Sequence, residues 1–517
     1  MVTTKPASLN PSEPRMPNTH LDQFMTHFKY SALTYDDVSL VTQYADFLPG
    51  ETDLRARLTR NIGLNVPFVS AAMDTVTEAE MAIAMAREGG IGIIHKNLDP
   101  TVQRTNVKRV KFYLNGFLEK ARTGRPDQTI DDLMRLKEEK GWGFSSFPIL
   151  DAENKVLGIV TSRELRYSDR TDVRLGKLMV TDPMTAPAGT TIQQAYELMR
   201  KHKISILPIV DGEGVFRGMY CFKDVKGILK QANPLYNRDA DHSLRCGAAV
   251  GPNTHERVEC LMETRVDVLV VDTAHGHTKG VLDMVRWVKQ HFPRVDVLAG
   301  NVATAEGTRA LIEAGADGVK VGVGPGSICT TRVVTGVGVP QLSAVYECAK
   351  AARGSGAPIV ADGGIRFSGD VIKALVAGAD AVMMGGVLAG TDESPGERIL
   401  YQGRQYVLYR GMGSVGAMTQ RHGSADRYAQ AGLRADKLVP EGIEGMVPYA
   451  GPAAGVMSQF IGGMRNALGY SGCRTVADLQ ERGRLVRLSD AGRKESHPHD
   501  VRITKEAPNY KVGDEWE

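Results

Sequence analysis

Residues 358–386 are PIVADGGIRFSGDVIKALVAGADAVMMGG, and they contain two short apolar runs separated by one helical pattern. Pro358–Ala361 and Ala379–Met384 predict strands, and Ser368–Ala377 predicts the helix between them. A strand, a helix and a second strand in this order indicate a parallel sheet, and unbroken apolar runs indicate strands covered on both faces. The residues that such sheets use to bind ligands follow directly: Asp362, Gly363 and Gly364 after the first run, Gly385 and Gly386 after the second.

The same alternation continues toward the N-terminus. Further apolar runs predict strands at Val66–Ala71, Gly90–Ile94, Leu244–Val250, Val266–Asp272, Val295–Ala299 and Gly318–Val321. Helical patterns lie between them at Glu78–Glu88, Val281–Gln290, Ala305–Ala314 and Ser343–Ala352. A (β/α)8 TIM barrel has this order of elements, but a doubly wound sheet also binds its ligands at the carboxyl ends of its strands. The pattern alone leaves both α/β architectures open.

An internal repeat interrupts the alternation between about residues 111 and 232. FPILD with VLGIV (147–160) matches LPIVD with FRGMY (207–220), and helical patterns flank both copies. The repeat resembles a tandem pair of cystathionine-β-synthase (CBS) modules, a Bateman domain, which implies an inserted α+β domain that binds adenine or guanine nucleotides. The match is incomplete at two positions: Thr161 precedes Glu164, and Cys221, a weak hydrogen-bond partner, precedes Asp224. A structural pair with degenerate ligand sites is therefore the alternative.

The domain boundaries follow from these patterns and from the first residues of the chain. Residues 1–20 contain Pro, Thr, Ser and Asn without an apolar segment, which predicts a disordered leader and not a signal peptide. We expect the catalytic barrel at residues 21–110 and 233–517, and the CBS pair at residues 111–232.

Composition and charge exclude several functional classes. A net charge of +3 in 517 residues gives no support for a nucleic-acid partner. No run approaches the roughly 20 apolar residues that cross a bilayer, so we expect no membrane partner. The six cysteines lack the CxxC spacing of zinc sites, and their scatter favours a reducing, cytoplasmic compartment over a disulfide framework.

The segment from Gly322 to Thr331, GVGPGSICTT, carries the strongest chemical signal. A glycine-rich loop after a buried strand presents backbone N–H groups to an anion, and the same flexibility turns carbonyls toward a cation. Ser327 adds a hydroxyl donor to this loop. Cys329 lies in the loop and not inside a strand or helix, which favours an accessible, reactive thiol over a small buried one.

Two further segments predict a ligand site. The glycine pairs after the last two predicted strands fit a TIM-barrel phosphate site, and Asp362 suits a ribose diol. The polar stretch Thr419–Arg434 has little apolar periodicity, which indicates a lid or a disordered excursion. Arg427 in this stretch fits a phosphate or carboxylate clamp, or a surface charge, better than a base.

Together these motifs resemble those of the inosine-5′-monophosphate (IMP) dehydrogenases. The resemblance runs from about Ala32 to Tyr510, and it includes the position of the CBS pair within the barrel. It implies a TIM barrel and not a doubly wound sheet. The motifs that carry it are Ser70–Thr75, Gly322–Thr331, Asp362–Gly364, Tyr409–Gly413, Arg427–Tyr428, the flap at about residues 415–440, Pro440–Gly445, Glu495–His497 and Ile503–Tyr510.

The resemblance implies an NAD-dependent oxidoreductase that converts IMP to xanthosine monophosphate (XMP) in guanine nucleotide synthesis. Cys329 would attack C2 of the purine, hydride would leave to NAD, and water would hydrolyse the covalent thioimidate. Thr331 would orient that water. The base would be Arg427 beside Tyr428, a demanding role because a guanidinium gives up its proton reluctantly.

The resemblance also assigns binding residues. For the substrate they are Ser70, Met73, Ser327, Asp362, Gly364, Gly385, Gly386, Tyr409, Gly411, Met412, Gly413 and Glu441. For NAD they are Asp272, Thr273, Gly322 and Gly324. A potassium ion would bind Gly324, Gly326 and Cys329 together with Glu495, Ser496 and His497 from a neighbouring subunit. This last assignment implies a homotetramer, and CBS pairs can join tetramers into octamers.

Two rival functions are weighed against this one. A guanosine-5′-monophosphate (GMP) reductase would share the barrel and the cysteine but would use NADPH to remove ammonia. The resemblance separates the two by the flap Arg427–Tyr428, which the reductases lack, and by Val415, where they carry an acidic residue. A catalytically silent nucleotide sensor is opposed by the intact set of Cys329, Thr331 and Arg427.

Overall fold

The computed structural model describes residues 17–29, 31–113, 116–118, 121, 123–139, 146–166, 170–230 and 233–510. The predicted leader at residues 1–20 lies mostly outside this described part. The chain forms two compact units. The larger contains the residues up to Lys111, Leu235–Asn237 and the chain from Arg245 onward, and the smaller contains Phe112–Pro234 and Arg238–Leu244.

The larger unit is built on a closed barrel of eight parallel strands. They are β1 Phe68–Ser70, β2 Ile91–Ile94, β3 Cys246–Val250, β4 Val268–Asp272, β5 Asp296–Val302, β6 Gly318–Val321, β7 Ile359–Asp362 and β8 Ala381–Met384. Each strand pairs with the next along the chain, and β8 pairs with β1 through Met384 and Ser70. Closure of the sheet confirms the (β/α)8 barrel and excludes the doubly wound alternative.

One strand differs from its prediction. β5 continues past Ala299 to Val302, through the Gly300-Asn301 pair that the sequence predicts as a turn. Gly300 pairs with Asp272 of β4 on one side, and Val302 pairs with Val321 of β6 on the other. Because both neighbouring strands supply ladder hydrogen bonds here, tertiary pairing overrides the turn propensity of the two residues.

Helices alternate with the barrel strands, and those between successive strands, such as Ala79–Arg87, Lys279–His291 and Ser368–Val376, bury their apolar faces. Those of the larger unit are Thr19–His27, Ala79–Arg87, Pro100–Lys111, His255–Met262, Lys279–His291, Ala305–Glu313, Thr331–Thr335, Gln341–Ala352, Ser368–Val376, Gly386–Ala389, Val415–Met418, Ala453–Tyr470, Val476–Arg482 and Asp490–Glu495. None of the described helices is both long enough and apolar enough to cross a bilayer.

The amino-terminal end of the barrel is closed by a hairpin of Ala56–Arg57 and Gly63–Leu64. At its turn, Arg60 N–H donates to the carbonyl of Asp317 before β6, and the Asn61 amide donates to Asp296 at the start of β5. Leu58 and Leu64 pack into the barrel core with Leu298. Because this hairpin closes the amino-terminal end, the carboxyl-terminal end of the barrel is the open one.

Two small antiparallel sheets complete the larger unit. Val38–Leu40 pairs with Leu485–Arg487, and a three-stranded sheet contains Arg398–Tyr401, Arg404–Arg410 and Glu444–Pro448. The segment predicted as a lid lies between the last two of these strands. The flap at residues 415–440, which includes this segment and is called the lid below, contains short helical turns at Val415–Met418, Ala425–Tyr428 and Ala435–Lys437.

The smaller unit has two sheets. One has the order Ala186–Pro187, Ile206–Val210, Phe216–Cys221, Phe117–Leu118, and the other Phe147–Leu150, Val156–Val160, Val180–Thr181. Its helices are Ile130–Glu139, Ser162–Arg166, Leu175–Leu178, Ile192–His202 and Phe222–Lys230. The two repeat hairpins shift register at matching positions, between Ile149 and Leu150 and between Ile209 and Val210. The internal repeat therefore has a structural counterpart.

Candidate active site

A cavity of about 1050 Å³ opens at the carboxyl-terminal end of the barrel strands. Its walls include most of the residues that the sequence singles out: Met73, Asp272, Gly322, Gly324, Gly326, Ser327, Cys329, Thr331, Asp362, Gly364, Gly385, Gly386, Tyr409, Gly411, Met412, Arg427, Tyr428 and Glu441. Their convergence from strands far apart in sequence makes this cavity the candidate active site.

Cys329 lies in the loop after β6 with its thiol open to the cavity. Its Sγ is 3.1 Å from Thr331 Oγ1 and 3.6 Å from the carbonyl oxygen of Glu441. Backbone hydrogen bonds hold the loop on both sides of the thiol. Ile443 N–H donates to the carbonyl of Ile328, and Thr330 N–H donates to the carbonyl of Glu441. A half-buried sulfur on a fixed loop, beside a hydroxyl, is the arrangement expected of a nucleophile.

Other cysteines have a different environment. Cys246 and Cys348 are fully buried, and burial raises the pKa of both thiols, to about 12 for Cys348. Neither lines the cavity. They are small core residues, as is usual for a free cysteine.

One end of the cavity is lined by two uncharged hydrogen-bond donors, the hydroxyl groups of Ser327 and Tyr409. Ser327, in the same loop as Cys329, is exposed, and its Oγ lies next to Gly386. Tyr409 reaches the same place from the three-stranded sheet, with its hydroxyl beside Gly385 and 3.7 Å from the sulfur of Met73. Burial raises the pKa of Tyr409, so its phenol keeps its proton and can donate to an anion.

A buried lysine joins the two carboxylates of the site, and sequence reasoning missed it. Lys320 on β6 is 2% exposed, with Nζ 2.8 Å from Asp272 at the end of β4 and 2.7 Å from Asp362 at the end of β7. It also donates to Asn301 on β5, whose amide donates to Asp362 at 2.9 Å. The available signal was a charged residue inside the otherwise apolar strand Gly318–Val321, because lysine is almost never buried unless it is paired.

Gln341 is a second missed residue. Its side-chain amide is buried and donates to the carbonyls of Val321 and Asp362, at 2.9 and 3.1 Å. It thereby ties the end of β6 to the end of β7. Its sequence position, at the start of a helix with no neighbouring motif, gives no sign of this contact.

The Arg427–Tyr428 pair lies over the cavity in a short helical turn. The Arg427 guanidinium forms an ion pair with Asp272, and its backbone carbonyl accepts from Ala274 N–H at 3.0 Å. The Tyr428 ring packs against Gly413, and burial is the main reason that the pKa of Tyr428 is raised. The lid is therefore closed, with Arg427 paired to Asp272, the residue for which the family resemblance predicts contact with NAD.

Six predicted residues lie outside the cavity walls. Ser70 is buried and bonds to Thr77 at 2.8 Å, Thr273 donates to the carbonyl of Gly300, and Gly413 lies behind Tyr428. Glu495 and Ser496 end an exposed helix, and His497 contacts Tyr510 of the same chain. Their ligand roles stay predictions.

We expect Gly322→Ala to damage the site through a backbone clash. Gly322 has φ +150°, and a Cβ there would lie 2.1 Å from the carbonyl oxygen of Asp362. Overpacking costs about 1–3 kcal/mol, and the displaced Asp362 should raise the KM for the substrate. Urea unfolding and initial rates measure both effects.

Gly354→Ala is the matched control for this variant. Gly354 has φ +80°, but its Cβ would meet open space, so we expect only backbone strain of about 1 kcal/mol and an unchanged KM. Equal unfolding free energies and equal KM values for the two variants would contradict the clash.

Comparisons with known proteins give the family. Inosine-5′-monophosphate dehydrogenase of Aquifex aeolicus is 54% identical over 93% of this chain and 98% of its own length. The enzyme of Bacillus subtilis is 48% identical over 94% and 99%.

A solved structure is similar along most of the chain as well. It is a cysteine-to-alanine variant of GMP reductase from Trypanosoma brucei in complex with guanosine 5′-monophosphate. Its TM-score is 0.79 at 39% identity, and the match covers 91% of this chain and 98% of that one.

Residues 32–499 match the family described as IMP dehydrogenase / GMP reductase domain. The chain therefore belongs to the IMP dehydrogenase / GMP reductase family.

Proposed function

We propose that this chain is an IMP dehydrogenase, which oxidises IMP to XMP with NAD in guanine nucleotide synthesis. The observation that carries the proposal is the Cys329 thiol, which opens into the cavity 3.1 Å from the Thr331 hydroxyl and beneath the Arg427–Tyr428 turn. This set supplies a nucleophile together with groups that can position water. The high identity to several IMP dehydrogenases supports the same function.

The reaction divides into two half-reactions. The Cys329 thiolate forms a bond to C2 of the purine, and loss of hydride from C2 leaves a thioimidate. NAD, when bound, accepts that hydride. Water then adds to C2, the C2–S bond breaks, and the thiol is restored as XMP leaves. The balance is IMP, NAD and water to XMP, NADH and a proton.

The residues of this chain have separate roles in that sequence. Ser327, Tyr409 and the glycines Gly364, Gly385 and Gly386 would hold the phosphate, and Asp362, fixed by Lys320, would hold the ribose diol. The hypoxanthine ring would contact Met412, Gly413 and Glu441. Behind these residues would lie Ser70, Met73 and Gly411. Thr331 would orient the water, and Arg427, with Tyr428 beside it, would act as the base that deprotonates it.

Asp272, Thr273, Gly322 and Gly324 would hold NAD. Asp272 fits this role only after Arg427 leaves, since the guanidinium now covers its carboxylate. Once uncovered, the carboxylate can accept from ribose hydroxyls. Because Arg427 and NAD need the same carboxylate, hydride transfer and hydrolysis would take place in different positions of the lid.

The loop also fits a potassium ion. The carbonyls of Gly324, Gly326 and Cys329 would coordinate it, although Gly326 already accepts Cys329 N–H at 3.1 Å with one lone pair. Arg332 lies in the helix Thr331–Thr335 directly after this loop and donates to the carbonyls of Val323 and Val339. A second positive charge beside this guanidinium needs an anion, which Glu495 of a neighbouring chain would provide, with Ser496 and His497. This is the reason to propose a homotetramer.

The smaller unit would be a CBS pair, residues 111–232, which binds adenine or guanine nucleotides and can join tetramers into octamers. Its duplicated hairpins support the assignment. In the first copy, Glu164 already accepts from the backbone N–H and hydroxyl of Thr161, so a ribose there would have to displace an internal cap.

Six cysteines that form no disulfide support a cytoplasmic location for this chain.

GMP reduction is the second candidate, because the similar solved structure is a GMP reductase. That structure matches 91% of this chain. The presence of the smaller unit therefore does not distinguish an IMP dehydrogenase from a GMP reductase. We expect NADH to form with IMP, NAD and potassium, and NADPH to remain unoxidised with GMP. Absorbance of the reduced cofactor measures both, and NADPH oxidation without NADH formation would establish the reductase instead.

A further inference from the structure

Lys96 is a buried cation to which none of the roles above assigns a function. It follows β2 in the loop His95–Asp99, and its side chain is 8% exposed. Its Nζ forms an ion pair with Asp426 of the closed lid, and burial lowers the pKa of the ammonium. A lysine so deeply buried is stabilised by its anion, and this anion belongs to a segment more than 300 positions away in sequence.

Asp426 directly precedes Arg427 in the turn Ala425–Tyr428. Its Oδ2 lies 2.4 Å from the place where a Cβ on Gly251, after β3, would be, so the carboxylate approaches the barrel as closely as backbone allows. Three consecutive lid residues are thus held at three places: Asp426 at Lys96, Arg427 at Asp272, and Tyr428 at Gly413.

The charge balance makes Asp426 the central residue of this contact. Two cations interact with its carboxylate, Lys96 and the buried Arg257, and Lys96 in turn is repelled by Arg427 and Arg257. Arg257 is fixed to the same loop, by hydrogen bonds to Gln103 and to the carbonyl of Leu98. Without the carboxylate, the closed lid would leave the buried Lys96 repelled by Arg427 and Arg257 with no anion paired to it.

Other contacts between the lid and this loop are longer. The Asn97 amide is 3.4 Å from the carbonyl of Ala417, and His422 is 3.5 Å from Asp99 on the exposed side. Exposed pairs of this length contribute little. The Lys96–Asp426 pair, in which the lysine is buried and the aspartate partly buried, is therefore the strongest attachment of the lid to the loop after β2 among the described residues.

We propose that the Lys96–Asp426 ion pair is a latch that positions Arg427 and Tyr428 over Cys329 for the hydrolytic half-reaction. The inference rests on the proposed function. Hydride transfer requires Arg427 to leave Asp272, so it does not need the latch. Hydrolysis requires Arg427 and Tyr428 in place, so it does. Asp426 and Lys96 act through these residues and are positioning residues.

The test uses Asp426→Asn, Lys96→Met and the double variant in the full-length protein. Asparagine keeps the shape of aspartate and removes its charge. Asp436→Asn is the matched control, because Asp436 pairs with Arg434 in the same segment with its side chain 57% exposed. Rapid mixing with IMP and NAD resolves the NADH burst, and acid quenching with mass spectrometry measures the purine bound to Cys329.

We expect both single variants to keep the burst and to lose about 10- to 100-fold in steady-state rate, the size of effect that a displaced catalytic group produces. The bound purine should accumulate, and Asp436→Asn should match the wild type. The double variant should lose no more than one single variant, since the pair is one interaction. Equal losses of burst and steady-state rate, or no loss, would overturn the latch.

Amide hydrogen exchange of residues 415–440 tests the latch without turnover. We expect faster exchange in Asp426→Asn and Lys96→Met than in the wild type and Asp436→Asn, and equal exchange in all four would overturn the proposal. If the wild type formed no NADH from IMP, the proposed function would fail, while faster exchange in the two variants would still establish the latch.

Discussion

Cys329→Ala will abolish NADH formation, with a fall in kcat of at least about 10⁴-fold, because the reaction then has no nucleophile to activate C2. Alanine removes the sulfur that faces Thr331 at 3.1 Å and leaves the backbone hydrogen bonds of the loop in place. Binding of IMP, which uses other groups of the cavity, should persist in titration calorimetry. Stopped-flow absorbance should show neither burst nor steady-state NADH.

Cys260→Ala is the control for this prediction. Cys260 is also half-buried, but its thiol faces the carbonyl of Pro100 and does not line the cavity. We expect its kcat to stay within about twofold of the wild type, as for a substitution away from the site. A full NADH burst in Cys329→Ala would remove the covalent mechanism, and loss of IMP binding would indicate a general failure of the loop.

Lys320→Met has the second-largest expected effect, on both stability and activity. Methionine replaces the aliphatic part of the lysine side chain but leaves Asp272 and Asp362 without the cation that lies 2.8 and 2.7 Å from them. Breaking a buried ion pair by removing one partner costs about 3–5 kcal/mol. Repulsion between the two carboxylates should also displace Asp362, and we expect kcat/KM for IMP to fall by about 10²-fold or more.

Lys289→Met is the matched control. Lys289 pairs with Asp317 at 2.8 Å, but its side chain is 23% exposed, and Asp317 keeps Arg60 as a second cation. We expect a loss of about 1 kcal/mol and unchanged kinetics. Urea unfolding and initial rates at varied IMP check both variants. A Lys320→Met protein as stable and as active as the control would show that Asn301 and Arg427 are enough to hold the two carboxylates.

Much of the barrel and of the catalytic loop could be predicted from sequence, for local reasons. Most of the buried strands have an apolar run, interrupted in β6 by Lys320, so the positions of β1 to β8 follow from composition within a few residues. The glycines around Cys329 and after β7 are needed by the backbone itself, whatever the rest of the fold does. The chemistry predicted for Cys329 and Asp362 rests on the unusual residue types at the ends of such runs.

The electrostatic contacts of the site were decided only by the tertiary structure. Lys320 meets Asp272 and Asp362 because closure of the barrel brings the ends of β4, β6 and β7 together. Arg427 and Asp426 meet Asp272 and Lys96 because the lid folds back across that end. Ion pairs depend on distance in space, and residues far apart in sequence carry no local pattern that reveals them. Sequence by itself determined which groups could do the chemistry, and the closed barrel and lid decided which charges hold them in place.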